Sequence, residues 1–556
     1  DSSFDAAAQA DPDYAQAHLW LALARAWSGA ELTRWRVAAE QAALRRERLS
    51  ERDREISDAV LNQARGDLGR ACPLWRQATL REPQRFTAWY GSAYCQASDE
   101  VVLRDPASPS GWRFRTSYHS ALLDYQRAFA SLPSILRAFR QGSYEALRRL
   151  FMTGGYARRS GHALPPDTTT FDAVAEWQGD SLALVPYPEL ATTLRRITRP
   201  GARQEALLHL RIEFRNVAQT WLTNSPADAD ALVAVAIGLG MLGDPRALDS
   251  LHRARTLVRD PSQRLRVAVA EVWMQIASAL PSDQDGLRRA RELADSLLGE
   301  QPPGRASDPL QLAGLAALTG RASLTANYYR EPQAGEGLGA PASLRASALP
   351  LLAFAALGGP PDSLAILERS VRDAIEQRVP PGERLPARLQ WLAWPATLAF
   401  PTYHFASIAE LEGKGDYLLD LQAAWARGDT LAVQRGFEDV REARREILPA
   451  DLTLDALYPE AELLSALGDR QSAATWLDPT LQALFQVAPH APTSRVSAIR
   501  AAALVRAMAL RARLADGLGD REGAARWAAA VRILWSDADP FLQPMVRQLR
   551  QLERSP

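Results

Sequence analysis

The side chains that can do chemistry are scattered along this sequence and share no spacing that would make them act together. The seven histidines are His18, His119, His162, His209, His252, His404 and His490. No two stand four residues apart, the spacing that sets both rings on one helix face to hold zinc. Gly413-Lys414-Gly415 contains the only lysine. It lacks the Gly five positions upstream of Gly413 and the Ser or Thr after Lys414 that a phosphate loop requires. No Gly-x-Ser-x-Gly elbow is present to raise a nucleophile. Carboxylates are too numerous for any two to be singled out as an acid–base pair. These patterns predict a chain that is not an enzyme and takes no cofactor or metal. Cys72 and Cys95 admit two readings. They are either two buried, reduced small hydrophobes or one disulfide between neighbouring helices, which belongs to an oxidising compartment. Their separation is too wide for a paired-cysteine zinc knuckle.

What these residues sit on is a repeat. An aromatic residue is followed by Ala three positions on and Pro eight positions on, at Phe4-Ala7-Pro12, Trp75-Ala78-Pro83 and Tyr125-Ala128-Pro133. Offsets of three, four and seven share one face of a helix. Small Ala residues on that face let a second helix come close, and the aromatic fills the space beside them. Pro then ends the helix, because it has no amide hydrogen and restricts the residue before it. Gly-Asp punctuates the helices at Gly66-Asp67, Gly243-Asp244, Gly428-Asp429, Gly468-Asp469 and Gly519-Asp520. Gly tolerates the left-handed conformation that closes a helix, and Asp caps the amides that open the next. The unit is therefore helix, Gly-Asp turn, helix, and often Pro.

This pattern resembles the tetratricopeptide repeat, a helix pair of roughly 34 residues. The segments Tyr14–Gly29 and Ala88–Gln96 match its first helix. The resemblance implies an all-α, tetratricopeptide-like α-solenoid, with the Trp and Ala residues in the core. Residues 1–160 read as N-terminal repeats, with a long loop at 98–115 that holds Pro106, Pro109 and Gly111. Residues 161–190 read as an inserted β-hairpin, with Thr168 to Trp177 alternating and Gln178-Gly179-Asp180 as the turn. Residues 191–378 form central helical repeats, and 379–556 form C-terminal repeats with a terminal helix. Pro- and Gly-rich joints near 331–341 and 379–386 are expected to mark either a change in superhelix direction or a sub-domain boundary.

The N-terminal part supports a narrower resemblance. "LSERDREISDAVLNQARGD" (Leu49–Asp67), "DPASPSGWRFRTSYHSALLDYQRAF" (Asp105–Phe129) and "DADPFLQPMVRQLRQL" (Asp537–Leu552) resemble the repeat regions that follow the kinase domain in bacterial serine/threonine kinases, notably of the Gemmatimonadota. There the repeats commonly come after a membrane helix. That context implies an extracytoplasmic position and favours a Cys72–Cys95 disulfide. The kinase motifs themselves are absent, with no Gly-rich loop, His-Arg-Asp or Asp-Phe-Gly.

Composition narrows the partners. The 65 basic and 65 acidic residues cancel, whereas nucleic acid and anionic membranes both draw an excess of positive charge. No apolar run approaches the roughly 18 residues of a membrane helix. The expected partner is a protein or peptide in the solenoid groove. In the repeat beginning near Arg85, Trp89 and Ala93 are expected in the core and Thr87, Tyr90 and Tyr94 in the groove. A second expectation is self-assembly. The chain opens at Ser2 on what reads as a second helix and closes near Phe541–Leu552 on what reads as a first helix. Head-to-tail stacking into a fibre or ring would complete both.

Overall fold

The computed structural model describes residues 2–554 apart from 28–31, 100, 105–106, 108–111, 117, 132–171, 176–180, 186–201, 259, 331–341, 407, 415, 445–448, 450–451 and 488–496. The chain folds as two compact units, Asp1–Pro226 and Ala227–Pro556.

Unit 1 begins with α1 (Ser2–Ala10), α2 (Ala15–Trp27), α3 (Leu32–Leu44), α4 (Glu51–Ala64), α5 (Leu68–Arg81) and α6 (Phe86–Ser98), followed after an excursion by α7 (Tyr118–Ala130). The helices pack as the pairs α2/α3, α4/α5 and α6/α7, with α1 against α2. The Gly66-Asp67 turn shows why. Gly66 sits at φ +79°, Asp67 N–H reaches back to the Asn62 carbonyl at 2.9 Å, and the Asp67 carboxylate accepts from Arg70 N–H at 3.1 Å. One helix is thereby ended and the next capped within two residues. Ala59 and Ala71 are buried where α4 and α5 cross. The fully buried Trp75 donates from Nε1 to the Gln63 Oε1 at 3.1 Å, which satisfies its one polar atom.

The excursion between α6 and α7 corrects the loop expected at 98–115. It contains β1 (Val102–Arg104) and β2 (Trp112–Phe114), paired antiparallel. Its base is closed by Arg115, which donates from Nε and Nη2 to both oxygens of the fully buried Asp99 at 2.7 and 2.8 Å. The β-hairpin expected at 161–190 is present as the antiparallel pair β3/β4, but as part of a larger sheet and not on its own. Most of that span lies outside the described residues. Its two short strands, β3 (Asp172–Ala175) and β4 (Ser181–Val185), belong to one four-stranded sheet of order β1-β2-β4-β3. Unpaired strand edges seek partners, and here β2 and β4 pair with each other. The last described helix of unit 1 is α8 (Ala202–Asn224).

Unit 2 continues with the pairs α9 (Ala229–Met241) and α10 (Arg246–Leu257), α11 (Pro261–Ala279) and α12 (Gln284–Glu300), α13 (Pro309–Leu318) and α14 (Ala322–Arg330), and α15 (Ala342–Leu357) and α16 (Pro361–Arg378). The short α17 (Arg384–Arg388) runs through a π-helical turn at Leu389–Ala393 into α18 (Trp394–Ala399). Pro395 cannot donate to the carbonyl four residues back, which accounts for the wider turn. Then come α19 (Ile408–Leu411), α20 (Tyr417–Ala426) and α21 (Thr430–Ala443), α22 (Leu454–Ala466) and α23 (Arg470–Gln482), α24 (Leu484–Val487), α25 (Ser497–Gly517), α26 (Arg521–Leu534) and α27 (Gln543–Arg554). Asp429, Asp469 and Asp520 cap their helices as Asp67 does.

This array does not stay open. The helix α25 packs on α13, α15, α22 and α23, α24 returns to α9 and α11, and α26 lies on α12. All ten residues from Ala501 to Leu510 are buried, as expected only of a helix surrounded on every side. The buried Arg506 donates from Nη1 to the Ala355, Ala356 and Leu398 carbonyls at 3.1, 3.2 and 2.8 Å. These lie at the C-terminal ends of α15 and α18, where the helix dipole favours a cation. Its guanidinium stacks on Tyr458 at 4.4 Å. Buried Arg291 likewise donates to the Leu534 carbonyl at 2.9 Å. The boundary falls at Pro226 and not at the joints near 331–341 and 379–386, because α25 binds helices from both sides of those joints into one core.

Candidate interaction surface

The expected groove residues all lie on α6, and the structure sorts them differently. Thr87 is only 5% exposed and belongs to the interior. Tyr90 and Tyr94 are half-buried. Tyr90 stands in an aromatic cluster with Trp27 (4.6 Å between ring centres), Phe86 (5.2 Å) and Tyr125 (5.1 Å). Tyr94 packs against Ala93, Ala97, Ala121 and Tyr125. Ala93 is buried as expected, but Trp89 is half-exposed. It donates from Nε1 to the Pro83 carbonyl at 2.7 Å, with the Arg127 guanidinium 4.9 Å above its ring.

The reason is that α6 is buried on two sides. Its tightest side is Ala88, Gly91 and Cys95, set against α5. A Cβ on Gly91 would lie 2.3 Å from the Trp75 ring. Cys72 and Cys95 form a disulfide on the same side, with their Cα atoms 5.4 Å apart. This bond ties the second helix of one pair to the first helix of the next. On the other side, Asp124 of α7 accepts from Ser92 Oγ and Gln96 Nε2, both at 2.8 Å. Burial pushes the Asp124 carboxyl above the usual range, against the pull of Ser92, Gln96 and Arg127.

Among the described residues of unit 1, a large open groove of about 880 Å³ lies where the start of α4, the end of α5 and the loop before α6 meet. Buried Asp53 is its hub. It accepts from Ser50 Oγ at 2.9 Å, Gln16 Nε2 at 3.2 Å and Arg85 Nη2 at 2.7 Å. Arg85 also pairs with Glu82 at 2.7 Å, and Arg52 reaches Glu82 at 3.0 Å. Burial works against the Arg85 charge, but Glu82 and Asp53 outweigh it and hold the guanidinium more firmly protonated than usual. Arg81 pairs with Glu55 at the rim. The groove thus offers fixed donors and acceptors. Its chemistry is recognition of polar backbone and side-chain groups. No sequence spacing announces Asp53 as a hub, because its partners come from three different helix ends.

Among the described residues, His18, His252 and His404 stand apart from one another. The His18 ring nitrogen lies 2.8 Å from the Pro12 carbonyl, His252 lies 3.7 Å from Glu271, and His404 stacks on Trp425. Among the described residues no cluster of His, Cys, Asp and Glu has the makings of a metal site. No described helix is long and apolar enough to cross a membrane.

No family model and no curated protein matches the chain. Among solved structures it is similar to Naa15/Naa10 bound to HypK-THB, at 13% identity and a TM-score of 0.24, over 97% of this chain and 66% of that one. It thus spans just under two thirds of that relative. It is also similar to the TPR domain of P58(IPK), at 11% identity and a TM-score of 0.18, over 97% of this chain and 98% of that one. A third is yeast Tom70, at 12% identity and a TM-score of 0.23, over 97% and 95%. At these scores the superpositions are loose, and the tetratricopeptide-like character rests on the helix pairs, their Gly-Asp turns and their Ala crossings.

Proposed function

We propose that this chain is a non-catalytic scaffold that holds a protein or peptide partner, with unit 1 supplying the binding surface. One observation carries the reading: in unit 2 the stacked pairs already grip an α-helix, α25, along α13, α15, α22 and α23. Helix pairs of this sequence therefore make a surface on which a polypeptide segment can be held, and in unit 2 that surface is taken by the chain itself. Unit 1 keeps the polar groove around Asp53 and the half-open rings of Tyr90 and Tyr94. A photo-crosslinking residue at Gln84, in the groove, tests this against a control at Arg526 in unit 2. A discrete adduct from Gln84 that Arg85→Ala weakens is expected. Equal labelling from both positions contradicts the reading.

The setting we infer is extracytoplasmic, as part of a bacterial signalling protein. The Cys72–Cys95 disulfide supports it, since such bonds persist in oxidising compartments. So does the resemblance of Leu49–Asp67 and Asp105–Phe129 to repeats that follow bacterial kinase domains. Alkylation of cells before lysis checks it: both cysteines should resist labelling, and free thiols would count against this location. Head-to-tail assembly is the weaker alternative. The apolar side of α27 is already covered, with Val546 and Leu549 buried and Arg547, Gln548 and Arg550 facing solvent. That helix offers no apolar face to a second copy.

A further inference from the structure

The chain has two cysteines, and the bond between them closes a covalent ring around one wall of the Asp53 groove. Cys72 lies near the start of α5 and Cys95 near the end of α6, 23 residues on. The ring holds the rest of α5, the loop from Glu82 to Arg85 and most of α6. Every residue that lines the groove from Ala78 to Arg85 is inside it, and the other lining residues fall between Ser50 and Glu55, at the start of α4. Three ion pairs cross from the ring to α4. Arg85 reaches buried Asp53 at 2.7 Å, Arg52 reaches Glu82 at 3.0 Å, and Arg81 pairs with Glu55. Trp75, also in the ring, donates to Gln63 of α4 at 3.1 Å.

The Glu82–Arg85 loop stands midway between the two cysteines in sequence, so the sulfur bond joins the ends of α5 and α6 remote from the groove. The groove end of the ring is held to α4 by charge, and the far end is held by the bond. Closing such a loop removes chain freedom, and here the freedom removed is that of a groove wall. A wall ordered in advance lowers the cost of binding. The coupling is reciprocal, so contacts that favour the closed groove also favour the bond. Access obeys the same geometry. Cys72 is 7% exposed and Cys95 is fully buried. A reductant therefore reaches them when α5 and α6 part, and the ion pairs across the groove oppose that parting.

We propose that the Cys72–Cys95 bond is a redox control on the Asp53 groove, which is set for its polypeptide partner when the bond is formed and loosened when a dithiol reduces it. The proposal rests on the reading of that groove as the partner site. In the reducing step a thiolate of the dithiol attacks one cysteine sulfur, the S–S bond breaks and a mixed disulfide forms. The second thiol of the reductant then closes it into a cyclic disulfide, and two electrons and two protons pass to the protein as two cysteine thiols. The full chain is equilibrated with mixtures of reduced and oxidised dithiothreitol, alkylated, and its thiols counted by mass. Circular dichroism checks that helix content is kept in both states. Arg85→Ala should make the bond easier to reduce, moving the midpoint ratio at least about fivefold. Arg52→Ala, at a more exposed pair, should move it the same way by less. Arg46→Ala removes a pair with Asp58 of α4 that lies outside the ring and should leave it in place. Hydrogen–deuterium exchange at Glu82–Arg85 should be faster in the reduced chain, with α25 unchanged. An unmoved midpoint in Arg85→Ala, an equal move in Arg46→Ala, or equal exchange at Glu82–Arg85 in the two states would overturn the proposal. A partner captured equally from Gln84 in both states refutes the redox control and leaves the groove reading standing. Capture in neither state refutes the groove reading, and the Arg85 midpoint still decides whether ring and groove are coupled.

Discussion

Replacing Arg506 tests how unit 2 is closed. The side chain is 4% exposed, and its Nη1 serves the carbonyls of Ala355, Ala356 and Leu398. Ala355 keeps a second partner, because Gly358 N–H donates to it at 3.1 Å. Truncation to Ala therefore strips two buried carbonyls, at about 1–3 kcal/mol each. It also removes a desolvated contact with the Tyr458 ring of about 2 kcal/mol and opens a cavity. The guanidinium's own desolvation cost, several kcal/mol, disappears with it and offsets part of the loss. The expected net is a loss of about 4 kcal/mol for Arg506→Ala. Arg506→Met refills the volume but still orphans the carbonyls, so a loss of roughly 2 kcal/mol is expected. Urea unfolding followed by tryptophan fluorescence reads this. At an m-value of about 3 kcal/mol/M, the alanine variant should shift the unit 2 midpoint by more than ~1 M. If both variants stay within about 0.5 kcal/mol of the parent, Arg506 is not held in the interior and the seating of α25 is wrong.

Three further perturbations address unit 1. Breaking the disulfide with Cys72→Ser/Cys95→Ser frees a loop whose ends are 23 residues apart, which should cost about 3 kcal/mol in urea melts of the oxidised protein. Gly91→Ala drives a methyl group into the Trp75 ring and should cost about 1–3 kcal/mol by the same melts. Asp124 gives a pH dependence. Its folded carboxyl is pushed up by burial, so the folded state binds the proton more tightly than the unfolded chain does. Stability then falls as pH rises from the ordinary carboxylate value through the raised one. Asp124→Asn keeps acceptors for Ser92 and Gln96, and its urea midpoint between pH 3.5 and 7 should change less than that of the parent. A steeper dependence would show that the sign is wrong.

Local periodicity made the helix pairs legible, because Ala crossings, aromatic fillers and Gly-Asp caps act within a few residues of one another. Ala59, Ala71 and Trp75 sit where their spacing put them. Long-range choices were not legible. The segment Thr493–Val531 reads as an ordinary helix pair, yet α25 is surrounded. Its one available signal was the lack of a polar stripe between Ala501 and Leu510, where Arg506 is the only charge. Thr87 was assigned to the groove from the offset of Trp89, but Gly91 and Cys95 turn α6 so that its small residues meet Trp75. The strands at 102–104 and 112–114 pair with each other, and the second also pairs with β4, a contact that no local pattern encodes. Asp53 became a hub through Gln16 and Arg85, 37 and 32 residues away in sequence.

Hydrogen–deuterium exchange of the full chain, alone and with a partner captured through Gln84, measures both halves of the account at once. In the free protein the amides of α25 should be among the slowest to exchange, and binding should leave them unchanged. Binding should slow the amides of Glu51–Glu55 and of the stretch from Glu82 to Tyr94. Fast exchange across α25 in the free protein, or protection on binding confined to unit 2, would contradict it.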